Sequence, residues 1–296
     1  MNLIKPERLK PGDKIGLIAL SGAIEDRASV ERAVEYFKLK GCDTVLSDNI
    51  YDTKRYLAGD DDKKVDELHR FFKDESIRAI VCVRGGYGAI RLVNKINYDI
   101  IHANPKIFCG FSDVTALALM MYKRAGLITY SAPMVMSDFG LENRSDFTMD
   151  NFFKVITKDC EIKLKNEDKI YKNGSAKGIL WGGNLATVVS LCGLDFIPDE
   201  PFIFFAEDIN EQVYKIDKMF TQLFNIKQFR NNIQAIILGE FLDSGNQVWL
   251  DELFEEIAST HNIPVVSGFK ITHGKDKLTL PIGAEASLID GELWLK

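Results

Sequence analysis

Long apolar runs, paired cysteines, histidines and concentrated basic charge are all scarce in this chain of 296 residues. No stretch approaches the roughly 18–20 uninterrupted apolar residues that cross a bilayer, which excludes a membrane helix. The opening, MNLIKPERLKPGDKIG, sets Lys, Pro and Glu where a secretory signal would carry its apolar segment, so the expectation is a cytoplasmic chain. Five cysteines (Cys42, Cys82, Cys109, Cys160 and Cys192) are odd in number, widely scattered and form no C-x-x-C pair. That argues against a disulfide framework or a structural zinc site, and for reduced, mostly buried thiols. The net charge is -6, and basic residues are mixed with acids, as in DDDKK at 60–64. Such a surface argues against nucleic acid as a partner, because a phosphate backbone needs a concentrated basic face.

What is present is a soluble globular composition, 46% hydrophobic and 27% charged, long enough for one large domain or two ordinary ones. Over the first 140 residues strand and helix signals alternate. KIGLIAL (14–20), RAIVCV (78–83), KIFCGF (106–111) and LITYSAP (127–133) read as strands. Amphipathic stretches at 27–40, 60–74 and 113–124 read as helices, the first stopped by Gly41. This alternation predicts right-handed crossovers and a mainly parallel sheet. Sites in such sheets form at the carboxyl ends of the strands, where SGA, RGGYG and GFSD all fall.

Residues 141–176 are polar and turn-rich, with a short helix at 152–156, and read as a linker region. It separates an N-terminal domain (1–140) from a C-terminal domain (177–296). The latter is richer in strand signals: GILWGG, PFIFFAED, AIILGEF and IPVVSGF, then a hairpin with Asp-Gly between ASLI and ELWL. Two helices, at 185–192 and 211–224, interrupt them. The expected fold class is α/β throughout, with a strand-rich, barrel-like second domain.

The segment KIFCGFSDVTALALMM (106–121) sets Ser112 and Asp113 at the seam between an apolar strand and an apolar helix. Two readings stand. Ser112 caps the helix, accepting a bond from an orphan N–H. Alternatively it is a nucleophile exposed at a sheet edge, beside the positive end of a helix. The arrangement is similar to a nucleophile elbow, but G-F-S-D-V lacks the second glycine of G-x-S-x-G. RGGYG (84–88) is either a tight turn or a set of backbone N–H groups aimed at an anion. It is neither a Walker loop nor a G-x-G-x-x-G motif.

A serine nucleophile needs a base, and the chain has four histidines. His69 lies in a surface helix, His102 before Asn104-Pro105 and His261 before Asn262-Ile263-Pro264. His273, beside Gly274 and between two strand candidates, best suits a site-facing loop. In FIFFAEDINEQ (202–212) an apolar run ends at Glu207. That carboxylate either complements a helix dipole or orients a histidine. Ser…Glu…His is a chain order found among hydrolases. In WGGNLATV (181–188), Asn184 either caps a helix or binds substrate.

Seven segments in order carry a resemblance across nearly the whole chain: PGDKIGLIALSG, RGGYG, GFSD-x-T, GGNL, EDINE followed by Y-x-I-D-K-M, GEF at 239–241, and HG…LPIGA. Together they resemble the serine L,D-carboxypeptidases of the muramoyl-tetrapeptide type, a family that includes the microcin C self-immunity peptidases. The resemblance implies Ser112 as nucleophile, Glu207 and His273 as its triad partners, and the backbone N–H groups of Gly86 and Asp113 as the oxyanion hole. It implies a Rossmann-like N-domain on a barrel-like C-domain, a homodimer, and no metal or other cofactor. The implied substrate is a cytoplasmic muropeptide of murein recycling, L-Ala-γ-D-Glu-meso-diaminopimelate-D-Ala. The immunity branch instead cleaves an aminoacyl-adenylate mimic and tends to carry an extra loop, which this compact chain lacks. Two alternatives therefore stand behind the muropeptide reading: an immunity peptidase, and a non-catalytic binder of a small ligand. Trp181 is a departure with two readings, in the core or lining the site.

Overall fold

The apolar run KIGLI forms β1 (Lys14–Ile18), buried from Ile15 onward in a computed structural model that describes residues 3–158, 161–166 and 168–296. Helix α1 (Arg27–Leu39) starts where the Asp26 carboxylate accepts a bond from Ala28 N, and it buries Val30, Ala33 and Phe37 at helical spacing. After β2 (Asp43–Leu46), α2 (Asp61–Lys73) carries Asp61 and Asp62 in its first turn and Arg70 and Lys73 in its last. Each sign stands at the end of the helix dipole that favours it. The alternation continues through β3 (Ile77–Cys82), α3 (Tyr98–Ala103), β4 (Ile107–Cys109), α4 (Thr115–Ala125) and β5 (Thr129–Ser131), and then α5 (Asp146–Thr157). α4 buries residues on every side and stops at Gly126, whose φ of 68° is left-handed.

The five strands pair in the order β2-β1-β3-β4-β5, all parallel. This is one of the two common doubly wound orders, and it reverses between β1 and β3. The crevice outside the carboxyl ends of β1 and β3 is therefore the place where such a sheet binds ligands. The loops there touch: Gly22 N donates to Gly85 O at 3.1 Å.

A second sheet is built from β6 (Ile162–Lys165), β7 (Ile170–Lys172), β8 (Ala176–Asn184), β9 (Phe202–Ile209), β10 (Ile233–Leu242), β11 (Val265–Val266), β13 (Glu285–Ile289) and β14 (Glu292–Leu295). The strand between β11 and β13 in sequence, β12 (Leu280–Ile282), belongs instead to the first sheet, beside β5. The second sheet runs β6-β14-β13-β8-β9-β10-β11-β7, with β8 to β11 parallel and the flanking strands antiparallel. Helices α6 (Leu185–Ser190), α7 (Val213–Asn225), α8 (Lys227–Asn232) and α9 (Gln247–His261) accompany it. The two sheets lie in two compact units, Met1–Asp159 with Thr279–Pro281 and Cys160–Leu278 with Ile282–Lys296.

The barrel expected of the second unit takes the form of an open mixed sheet: β6 and β7 are its edges, and no ladder joins them among the described residues. The short helix expected at 152–156 is the second half of α5, which begins at a Ser145 cap. The helix expected at 211–224 starts later, at Val213. Helices α3, α8 and α9 add to those expected.

Trp181 is fully buried and packs against Phe196, Phe202 and Phe204, which selects the core reading. Cys42, Cys82 and Cys109 are buried thiols, Cys192 is partly exposed, and none of the four is bridged. Cys160 lies outside the described residues. No helix is long and apolar enough to cross a membrane among the described residues.

Candidate active site

In the first unit the chain leaves β4 at Cys109 and turns sharply. Gly110 is obligatory there, because a Cβ on it would lie 2.6 Å from Val114 Cγ1. Ser112 then adopts a left-handed φ of 60°, at a cost of about 1–3 kcal/mol for a residue with a side chain. A single turn of 3-10 helix, Ser112–Val114, leads into α4. The residues that precede the two starts, Phe111 and Val114, make no side-chain capping bond. The hydroxyl is partly exposed and faces the RGGYG loop: a Cβ on Gly85 would sit 3.1 Å from Ser112 Oγ. Gly86 has φ of 111°, a conformation closed to most side chains, which brings bare backbone to this edge.

The resemblance implicates the Asp113 amide, but the side chain of this residue has a separate task. It is buried, and Oδ2 accepts a bond from Ala89 N at 2.9 Å. That bond ties the end of the RGGYG loop to the serine turn. Burial raises the Asp113 carboxyl above its usual range, against the pull of the Ala89 bond. Arg84, at the start of the same loop, donates to Ala23 O at 2.8 Å and to Glu25 at 3.0 Å. Tyr87 is half exposed and meets Tyr56 edge-on.

In the second unit Glu207 is not at the brink of a helix. It lies inside β9, two residues before the strand ends, and α7 begins only at Val213. The helix-dipole reading of Glu207 fails on that geometry. Glu207 is buried, and its Oε2 is 2.7 Å from His273 Nδ1. Its Oε1 is buried without a hydrogen-bond partner among the described residues. His273 sits on an irregular segment between β11 and β12 and is partly buried.

Successive residues of a strand face opposite sides, so Asp208 points away from Glu207. Its Oδ1 accepts from Asn184 Nδ2 and Ile209 N, both at 2.9 Å, and its Oδ2 from Ala186 N at 2.8 Å. Burial still dominates and pushes the Asp208 carboxyl from 3.8 up to about 6, with the neighbouring Glu207 charge adding to the rise. Asn184 is the N-cap of α6, its Oδ1 accepting from Thr187 N at 3.1 Å. The preceding Gly182 has φ of 145°, and a Cβ there would lie 1.9 Å from Phe205 O, so β8 and β9 pack backbone to backbone at this point. Asp208 was missed in the sequence. The signal is an acid pair, Glu207-Asp208, directly after the five apolar residues 202–206.

The other histidines have local duties. His69 Nε2 accepts from Asn97 N at 2.9 Å, and burial lowers its basicity. His102 lies in α3 rather than a loop, with Nδ1 2.9 Å from Ala125 O. His261 stacks flat on Phe224, ring centroids 3.5 Å apart.

The geometry thus assembles two groupings: Ser112 with Gly85, Gly86 and Asp113 in the first unit, and Glu207 with His273, beside Asp208 and Asn184, in the second. Comparison with known proteins bears on both. Residues 15–132 match the LD-carboxypeptidase N-terminal domain and residues 177–288 the LD-carboxypeptidase C-terminal domain. The chain is 30% identical to the probable murein peptide carboxypeptidase of Bacillus subtilis (strain 168), covering 97% of this chain and 92% of that one. It is 29% identical to the microcin C7 self-immunity protein MccF of Escherichia coli, over 95% of this chain and 91% of the relative. Among solved structures, the MccF-like protein of Bacillus anthracis (strain Ames) superposes with a TM-score of 0.92 at 26% identity, covering 99% of each chain.

Proposed function

The chain belongs to the LD-carboxypeptidase family, and from that premise we propose that it is a serine carboxypeptidase of murein tetrapeptide, releasing D-alanine across the L,D peptide bond. Ser112 attacks the peptide carbonyl. His273 takes the serine proton through Nε2, while Glu207 holds Nδ1 and stabilises the imidazolium that forms. The Gly86 and Asp113 amides receive the oxyanion; one such donor is worth about 3–4 kcal/mol of barrier. The protonated His273 gives its proton to the departing D-alanine amine. Water, with His273 again as base, then frees Ser112 from the acyl-enzyme. Asn184, at the carboxyl end of β8, is proposed as a substrate contact.

The observation that carries this reading is the 2.7 Å pairing of His273 Nδ1 with a buried Glu207. A protein that only bound its ligand would have no need to bury a carboxylate against an imidazole. The left-handed Ser112 turn supports it, since strain of that kind persists where the surroundings impose it. We place the reaction in the cytoplasm, in murein recycling, and the enzyme in a homodimer, as the resemblance implies. Light scattering on the purified protein tests the last point.

The direct experiment is D-alanine release from L-Ala-γ-D-Glu-meso-diaminopimelate-D-Ala, with Ser112→Ala expected to abolish release and keep the fold. Undiminished turnover in that variant removes Ser112 from the mechanism. The likeness to the self-immunity protein favours a second substrate class, aminoacyl sulfamoyl adenylates. Cleavage of these without release of D-alanine selects that branch, and binding without cleavage of either selects a non-catalytic role.

A further inference from the structure

The GEF segment at 239–241 was part of the resemblance but has no place in the mechanism above. In the structure it runs beside the residues that carry His273. Glu240 N donates to Ile271 O at 2.9 Å. Gly239 lets that segment in: a Cβ there would lie 2.1 Å from Ile271 O. The Glu240 side chain continues the contact, its Oε2 accepting from Thr272 Oγ1 at 2.5 Å. The same hydroxyl accepts from Gly274 N at 2.7 Å. One buried threonine thus bonds to β10 on one side and to the residue after His273 on the other.

We propose that Glu240 and Thr272 are positioning residues for His273, which rests on the reading of His273 as the catalytic base. His273 lies on a segment with no helix or strand of its own, so its backbone direction has to be set by bonds to neighbouring residues. Residues 271 and 274, on either side of 272–273, are each fixed to the same short stretch, the first through Glu240 N and the second through Thr272 to Glu240 Oε2. With both flanks fixed, the imidazole leaves the backbone at one angle, and Nδ1 reaches Glu207. Misplacement of a reacting group by about 1 Å can cost about 100-fold in rate, so loss of the clamp acts on turnover rather than on substrate binding.

The test is a set of variants assayed for D-alanine release. Thr272→Val keeps the shape and removes the hydroxyl; Thr272→Ser keeps the hydroxyl. Glu240→Ala removes the acceptor from an exposed side chain without opening the core; Glu240→Gln keeps a carbonyl that can accept the same bond. The expected result is a fall in kcat of about 10–100-fold for Thr272→Val and Glu240→Ala, with KM within about twofold. Thr272→Ser and Glu240→Gln restore most of kcat. The downfield Nδ1 proton resonance of His273 shifts or broadens in the first pair and not in the second. Unchanged kcat in Glu240→Ala overturns the proposal, as does equal loss in Thr272→Ser and Thr272→Val. Should Thr272→Val fail to fold, the Glu240 pair decides alone. The parent reading fails separately: it falls when Ser112→Ala retains turnover, whereas the clamp falls when Ser112→Ala is dead and Glu240→Ala is fully active.

Discussion

Asp113 and Ala89 are joined by a buried hydrogen bond, carboxylate Oδ2 to backbone N–H at 2.9 Å, across 24 residues of sequence. The bond makes the serine turn and the glycine loop one object. The loop cannot drift from Ser112 without leaving a buried carboxyl and a buried amide unpaired. Such loss costs about 1–3 kcal/mol. Asp113→Ala is therefore expected to lower stability by that amount and to reduce kcat, because the amides proposed as oxyanion donors lie on the two strands of chain that the bond joins. Asp113→Asn, which keeps an acceptor oxygen, should lose less of both. Urea titration beside the D-alanine assay checks this; equal behaviour of the two variants would remove the clamp from the account.

Asp208 makes stability depend on pH in a direction opposite to most carboxylates. Its pKa is raised from 3.8 to about 6 in the folded chain. Between those values the folded state holds a proton that the unfolded state has released. Stability therefore falls as pH rises from about 4 to about 6, by up to about 3 kcal/mol for this group. Asp113, also raised by burial, contributes with the same sign. Asp208→Asn cannot titrate and should flatten most of that fall, although one of its three local bonds is lost and its stability is lower throughout. Chemical denaturation at pH 4.5 and pH 7 measures the difference. A slope that survives intact in the variant would contradict the assignment.

Glu207→Gln separates the charge of this residue from its shape. Glutamine can still reach His273 Nδ1, but as an amide it neither stabilises an imidazolium nor guarantees the tautomer with Nε2 as acceptor. In a serine triad the corresponding change costs about 10,000-fold in kcat. A loss of that order, with KM little altered and the fold intact, is the expected outcome. A loss below tenfold would mean that the Glu207–His273 pair is a structural contact.

Much of this was legible in the sequence, because it is local. Gly110 and Ser112 between an apolar strand and an apolar helix announce a strand-to-helix turn, and the alternation of elements announces the parallel sheet. The unread parts depend on partners distant in the chain. That Glu207 lies within β9 rather than at its end follows from pairing with Asn184 on β8, which no local pattern reveals. The bonds of Asp208 to residues 184 and 186, and of Thr272 to Glu240, are set by sheet order. Helix α9 is a different case. Its buried Leu250, Phe254, Ile257 and Ala258 have helical spacing, but they stand between strand-like segments that dominate the local texture.

The left-handed backbone of Ser112 predicts that this residue is held against its own preference. A residue with a Cβ at φ of 60° is disfavoured by about 1–2 kcal/mol relative to glycine. Glycine in turn loses more entropy on folding, by roughly 0.5–1 kcal/mol. Ser112→Gly should then be as stable as the parent or more so by up to about 1.5 kcal/mol, although it lacks the proposed nucleophile. Ser112→Ala keeps the Cβ and so keeps the strain, and should show no such gain. Paired urea titrations of the two variants decide the matter. Greater stability in the glycine variant than in the alanine variant identifies a turn whose shape is imposed by Gly110, the Gly85 backbone and the start of α4. The opposite order would mean that Ser112 is at ease in this conformation and that no strain is stored at the proposed nucleophile.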